Sequence, residues 1–209
     1  MCSSKEIKGR AISSLNGRYW NCFLVSLIQM AITSALAVSV SAQETMGEFL
    51  GFLIIGSVCM SILPTLFVDY PLQVGVSGYY LKCRERKTEI GEMFAPFRDG
   101  YLNAVGTMTL SALKIFLWSL LFLIPGIIKA YGYAMVPYIL AENPEMQAKD
   151  TLRYSETIMR GNRWRFFCLD LSFMGWFLLG FFSLGMGYLF LVPYIEAAHA
   201  EFYKELTEY

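Results

Sequence analysis

Long apolar segments with very few charges run along this chain, and shorter polar segments separate them. A helix that crosses a bilayer needs roughly 20 mainly apolar residues, and six segments reach or approach that length. They are residues 21–41, 49–81, 102–124, 127–141, 166–184 and 186–203. The pattern predicts an all-α fold in one domain over residues 1–209, a polytopic membrane helical bundle of about six transmembrane helices with short amphipathic cytoplasmic helices.

The second segment, residues 49–81, is too long for one straight span, because at 1.5 Å per residue it would extend about 50 Å. Its only charge is Asp69, and Pro64 and Pro71 are expected to kink or divide it. The segment is therefore either one kinked span or a span followed by a re-entrant or interfacial segment.

The positions of the basic residues provide a separate test of these spans. If all six segments cross, fifteen of the 17 lysines and arginines lie on one side, and only Lys114 and Lys129 do not. Residues 42–48, between the first two segments, contain no basic residue. Because basic residues accumulate in cytoplasmic loops, both termini of this multi-pass protein should be cytoplasmic.

A Pro-Gly pair interrupts the apolar sequence between the third and fourth segments. Pro125 has a fixed φ and Gly126 an open φ range, so the pair predicts an outer hairpin turn. Lys129 follows about one turn later, where its stem can extend to the outer headgroups. The alternative is one long kinked helix over residues 102–141, which would disturb the distribution of basic residues.

Two amphipathic helices are predicted on the cytoplasmic side. Residues 144–160 should form one of them, with Asn143 as the cap, Pro144 in the first turn and Gly161 after the end. Its narrow apolar stripe should pack against the bundle or the membrane, and consists of Ala148, Leu152, Ser155 and Met159. Residues 3–18 should form an interfacial N-terminal helix whose stripe is Ile7, Ala11 and Leu15.

The composition agrees with a membrane protein and excludes several kinds of chemistry. The chain is 56% hydrophobic and 16% charged with zero net charge, so no basic field suggests nucleic acid as a partner. Five cysteines form no CxxC, and His199 is the single histidine, so neither a disulfide framework nor a metal site is expected. The Glu-x-x-His spacing of Glu196 and His199 occurs in di-iron bundles, but such a site needs a second motif. We expect no cofactor, no catalytic residue and no enzymatic activity.

One candidate polar site lies inside the predicted spans. Lys114 falls near the bilayer midplane, where a lysine costs roughly 2.5 to 3.5 kcal/mol, so it should face the bundle interior or a wet cavity. Asp69 is the favoured partner, and Asp170 is a second acid that could reach it. The alternative is a Lys114 stem that extends along the helix surface.

From residue 123 onward the chain resembles a bacterial integral-membrane family called domain of unknown function 975, mainly over residues 123–206. The matching stretches are "IPGIIKAYGYAM", "YILAENPEM", "MRGNRW", "LSFMGWFLLG", "LGMGYLFLVPY" and "AEFYKEL". The resemblance implies a multi-span protein of the bacterial cell membrane. It implies no activity, substrate or catalytic residue.

Two classes of function fit these observations. The first is a non-enzymatic accessory or scaffold module of the membrane, whose partners are the lipid bilayer and either another membrane protein or further copies of the chain. The alternative is a small transporter or channel with an intramembrane charged site around Lys114. A stoichiometric protein partner would favour the first class, and solute flux that depends on Lys114 would favour the second.

Overall fold

A computed structural model describes residues 4–15, 19–44, 63–84, 89–182 and 186–208. Every regular element within these ranges is helical, as the sequence predicts. The α-helices are α1 (Ser4–Leu15), α2 (Tyr19–Glu44), α3 (Tyr70–Arg84), α4 (Ala95–Arg98), α5 (Tyr101–Leu121), α6 (Leu123–Tyr133), α7 (Val136–Glu142), α8 (Ala148–Ile158), α9 (Arg163–Phe182) and α10 (Met186–Glu208). A π-helix (Thr65–Asp69) precedes α3, and a 3₁₀-helix (Ile90–Phe94) precedes α4.

Helix α1 packs into the protein instead of lying free at an interface. Its predicted stripe of Ile7, Ala11 and Leu15 is at most 5% exposed and belongs to the main hydrophobic core. The Lys8 ammonium donates to the Ser172 carbonyl oxygen at 3.1 Å and lies 4.2 Å from the centre of the Phe173 ring. Helix α1 packs mainly on α10 and less on α3 and α9, while Ile12 on its outer face is 59% exposed.

The two prolines of the second apolar segment enclose the π-helix. Pro71 has no N–H, so the carbonyl of Phe67, four residues earlier, lacks its usual helical donor. The Tyr101 hydroxyl donates to that carbonyl oxygen at 2.8 Å and ties the break to the start of α5. The chain therefore continues as a helix through Pro71, with a local π-turn. Residues 49–62 of the same segment lie outside the described residues.

Helices α2 and α3 run antiparallel and are joined by polar contacts. The partners on α3 and on the π-helix that precedes it move backward along the chain as those on α2 move forward. The contacts are Cys22 Sγ to Cys83 Sγ at 3.4 Å, Ser26 Oγ to Tyr80 hydroxyl at 2.7 Å, and Thr33 Oγ1 to Asp69 Oδ1 at 3.0 Å.

Helix α5 and the α6–α7 pair form the predicted helical hairpin, but the reversal occurs at Phe122. Phe122 is extended, with φ −154° and ψ 140°, and Pro125 lies inside the first turn of α6. A proline is tolerated there because the first N–H groups of a helix have no acceptor within the helix. Gly126 is helical and serves close packing, since a Cβ there would lie 2.7 Å from Ser119 Cα. The predicted turn at Pro125 and Gly126 is thus displaced to Phe122.

The cytoplasmic helix predicted over residues 144–160 is α8, which begins at Ala148 rather than at Pro144. Asn143 and Pro144 belong to a turn in which the Met146 N–H donates to the Asn143 carbonyl oxygen. Leu152, Ser155 and Met159 are buried, so the stripe packs against the bundle. Gly161 has φ +85°, the conformation expected of a glycine that follows a helix.

Two stretches in the described part of the chain are long and apolar enough to cross a bilayer, by length and composition. They are Tyr101–Leu121 and Leu123–Glu142, which are 22% and 44% buried over their most apolar windows. A core helix of a soluble protein would be mostly buried, whereas α5 presents most of its surface outward. The six-span arrangement stays a prediction.

One contact bears directly on that arrangement. The Tyr19 hydroxyl donates to the Phe190 carbonyl oxygen at 2.9 Å, and the Phe23 and Phe190 rings stack at 5.2 Å. Six full crossings would place Tyr19 at the inner headgroups and Phe190 near the outer end of the last span. A hydrocarbon core of about 30 Å would separate these two residues. The contact places Tyr19 and Phe190 at the same level of the structure, which six complete crossings do not predict.

Candidate functional site

The three members of the predicted intramembrane site lie in different places. Asp69 accepts hydrogen bonds from Thr33 Oγ1 at 3.0 Å and from Gln73 Nε2 at 3.4 Å. Asp170 contacts His199, and Lys114 lies nearest to Tyr133. The pairing of Lys114 with either acid does not occur in the structure.

Asp170 belongs to a polar group between α6, α9 and α10. Its Oδ1 lies 2.8 Å from His199 Nε2, and the Tyr131 hydroxyl also bonds to it. The Phe166 ring packs 4.8 Å from the imidazole and covers one of its faces. Glu196 lies one helical turn before His199 and accepts from the Tyr138 hydroxyl at 3.4 Å. In the described residues, no group of three or more histidine, cysteine, aspartate or glutamate side chains could hold a metal ion.

Lys114 and Lys129 meet instead around the Tyr133 ring. The Lys114 Nζ is 5.8 Å and the Lys129 Nζ 5.7 Å from its centre, on helices that the hairpin brings together. Lys129 Nζ contacts Glu156 Oε1 of α8 at 2.5 Å and lies 5.5 Å from the Trp118 ring centre. The predicted outer lysine is therefore paired with the helix predicted to be cytoplasmic.

Arg163, at the start of α9, completes the arrangement. Its guanidinium packs against Gly132 of α6, where a Cβ would lie 3.2 Å from Nη2, so the glycine leaves room for it. Ser155 of α8 donates to the Gly132 carbonyl oxygen at 2.8 Å and fixes the two helices at this level. We call Lys114, Lys129, Arg163 and Glu156 the basic cluster.

Charge is unbalanced in the basic cluster, because it contains three cations and one carboxylate, and Lys129 and Lys114 are the cations that act on Glu156. Burial alone raises the pKa of the Glu156 carboxyl, but hydrogen bonds from Lys129 and Tyr133 and the charges of Lys129 and Lys114 lower it more. Its pKa is therefore below the ordinary value of 4.5, and the carboxyl is ionised at neutral pH. The cluster carries a net positive charge.

The sequence contained little to indicate the basic cluster. Lys129 and Glu156 are 27 positions apart, so no helical periodicity relates them. In the sequence, Arg163 is one of the fifteen basic residues on one side and part of the family stretch "MRGNRW", and neither indicates this contact. The short spacing of Lys129, Gly132 and Tyr133 was the one available signal, since these residues lie within about one helical turn of one another.

A lateral groove of about 280 Å³ adjoins the cluster, between the start of α3, the middle of α5 and the junction of α6 and α7. Its polar lining consists of Tyr70, Gln73, Ser111 and Tyr133, and the rest is apolar. Gln73 links the groove to Asp69, and Tyr133 links it to Lys114. The groove thus lies between two members of the predicted site, although they do not touch.

Comparison with known proteins identifies a family but no activity. Residues 119–209 match the family described as protein of unknown function (DUF975), which confirms the resemblance found in the sequence. No curated protein and no solved structure matches the chain.

Proposed function

We propose that this protein is a non-enzymatic, multi-pass module of the bacterial cell membrane that serves as an accessory or scaffold for another membrane or envelope component. Both of its termini lie in the cytoplasm. The family to which residues 119–209 match contributes no activity, so the proposal depends on the exposed surface and the internal polar contacts of the chain.

The observation that carries the proposal is the exposed apolar end of the α5–α6 hairpin. Large side chains that are 43% to 74% exposed cover it on all sides. In water, a monomer rarely exposes an apolar surface of this extent, whereas hydrocarbon solvates it well. The residues are Leu113, Phe116, Leu117, Trp118, Leu120, Leu121, Phe122, Leu123, Ile124, Ile127 and Ile128.

Several polar side chains in the described helices are paired with one another across helix interfaces. Arg165 Nη2 contacts Glu205 Oε1 at 2.7 Å, and Lys204 Nζ contacts Glu142 Oε1 at 2.6 Å. The Tyr203 hydroxyl donates to the other oxygen of Glu142 at 2.7 Å. Such pairs join neighbouring helices, which supports a structural role.

The distribution of basic residues supports cytoplasmic termini with either of two topologies. Six complete crossings follow if every apolar segment spans the membrane. The Lys129–Glu156 and Tyr19–Phe190 contacts instead favour hairpins that enter and leave on the cytoplasmic side. A re-entrant hairpin does not change the side on which the chain ends, so the location of the termini is the same in both cases.

Transport is the second candidate, because the lateral groove adjoins Lys114. The groove contains polar and apolar groups in a size range that suits a small solute. It is open at its side, however, and Lys114 lies at its edge near Tyr133. The scaffold role accounts for more of the described contacts.

Membrane extraction followed by purification tests the proposal. The full chain should stay in the membrane pellet after alkaline carbonate and should dissolve only in detergent. It should then purify at a fixed stoichiometry with a membrane protein or with further copies of itself. Release by carbonate would contradict the membrane placement. Recovery as a monomer that conducts a solute in proteoliposomes would contradict the scaffold role.

A further inference from the structure

We propose that Lys114, Lys129 and Arg163 bind the phosphate group of an anionic phospholipid in the cytoplasmic leaflet. This site refines the proposed membrane function and depends on it. Three elements contribute the cations: Lys114 is on α5, Lys129 on α6 and Arg163 at the first position of α9. The ligand would therefore join the hairpin to the rest of the bundle.

The charges of the basic cluster require an anion. Glu156 pairs with Lys129, and within the described part of the chain neither Lys114 nor Arg163 takes part in an ion pair. Both side chains are half-buried, so water screens their repulsion only partly. A phosphate with one negative charge would reduce the net charge of the cluster from two positive charges to one.

Arg163 contributes the planar group of the site, although its Nε is itself buried. Less than 1 Å² of this atom is accessible, and it has no hydrogen-bond partner among the described residues. A buried charged donor is normally paired, because an unsatisfied one is costly. The planar guanidinium matches the geometry of phosphate oxygens, and its place against Gly132 holds it in one orientation.

The surroundings favour a lipid over free phosphate. Leu113 and Leu117 flank Lys114 on α5 and are 51% and 55% exposed, so acyl chains can lie beside the headgroup. Trp118 and Trp164 are 43% and 72% exposed next to Lys129 and Arg163. Tryptophan side chains concentrate at the headgroup level of membranes. The cations can thus contact the phosphate of a lipid, the tryptophans lie at the level of its headgroup, and the apolar surface can contact its acyl chains.

The length of the hairpin agrees with this position. From Lys114 to the end of α5 at Leu121 the helix rises about 10 Å, which is less than the roughly 15 Å of one hydrocarbon leaflet. With the cluster at cytoplasmic headgroups, the hairpin end would stay within that leaflet. The Lys129–Glu156 contact then joins two residues on the same side of the membrane.

Lipid retention by the purified full chain tests the site. The cluster variant is Lys114→Gln/Arg163→Gln, which leaves the Lys129–Glu156 pair intact. The matched control is Lys149→Gln/Arg153→Gln, which removes the same charge from exposed positions on α8. Native mass spectrometry would compare retained phosphatidylglycerol and phosphatidylcholine after identical detergent washes.

The unaltered chain and the control should retain phosphatidylglycerol in preference to phosphatidylcholine. The cluster variant should retain phosphatidylglycerol about tenfold less, as expected when two cations near an anionic headgroup are lost. The single variant Arg163→Lys, which keeps Lys114, should retain more phosphatidylglycerol than the cluster variant. Equal loss in the cluster and control variants, or equal retention of both lipids by the unaltered chain, would overturn the site.

Two further measurements separate the possible explanations. Inorganic phosphate at millimolar concentration should not displace the lipid, and displacement would show a site for free phosphate instead. Thermal unfolding should show a cooperative transition for both variants, and an unfolded cluster variant would be replaced by Lys114→Gln alone with the same expected loss of lipid. If lipid preference fails while the chain still resists carbonate, the lipid site is wrong and the membrane function is retained.

Discussion

At the scale of single residues, Glu156 is where α8 meets the hairpin. Its pKa is lowered in the folded protein, so it stabilises the fold fully above the ordinary value of 4.5 and loses that effect as pH falls through the lower folded value. Glu156→Gln should therefore destabilise the protein at pH 7 by about 1 kcal/mol, since it leaves Lys129 without a counter-charge. Thermal unfolding in detergent between pH 3 and pH 7 would measure the difference.

The difference between Glu156→Gln and the unaltered chain should shrink toward acidic pH. Lys129→Gln should show the same trend, because it removes the other half of the pair. Glu145→Gln, at an exposed position in the turn before α8, is a suitable control with no expected change. A constant difference from pH 3 to pH 7 would contradict the role of this ion pair.

At the scale of the elements, the α5–α6 hairpin depends on a close approach at Gly126. A Cβ at this position would lie 2.1 Å from Ser119 Oγ and 2.7 Å from its Cα, so the two helices would have to separate. Gly126→Ala should destabilise the protein by about 1 to 3 kcal/mol, the usual range for overpacking. Gly106→Ala is the matched control on α5, because nothing lies within 4 Å of a Cβ added at that position. Alanine is also the better helix former by about 1 kcal/mol.

Denaturant unfolding in micelles would compare the two glycine substitutions. Gly126→Ala should have a lower free energy of unfolding than the unaltered chain. Gly106→Ala should have an equal or higher one. The same sign for both would mean that close packing at Gly126 does not hold the hairpin together.

At the scale of the whole molecule, the lipid site predicts that the hairpin end stays within the bilayer. In a background with the native cysteines replaced by serine, Phe122→Cys should resist membrane-impermeant thiol reagents from either side. Asp150→Cys should react only from the cytoplasm, since the proposed topology places α8 on that side. Reaction of the cysteine at position 122 from outside would show a complete crossing and would contradict the one-leaflet hairpin.

The amino-acid sequence alone determined the helical class, the apolar segments and the end of α8 at Gly161. These features depend on local composition and spacing. It also placed the buried stripe of α1 and most of that of α8, where Ala148 is only partly buried, since helical periodicity defines a face wherever the helix packs. It indicated, through motifs that lie close together in the chain, the resemblance to the family that residues 119–209 match.

Only the tertiary structure decided what each face and each charge contacts. Lys114 was predicted to pair with an acid in a span, but the hairpin reverses at Phe122 and brings it beside Tyr133 and Lys129. Glu156 was one of several charges on an amphipathic helix until the packing of α8 set it against α6. An ion pair between residues 27 positions apart depends on how helices cross, and no local spacing encodes that crossing.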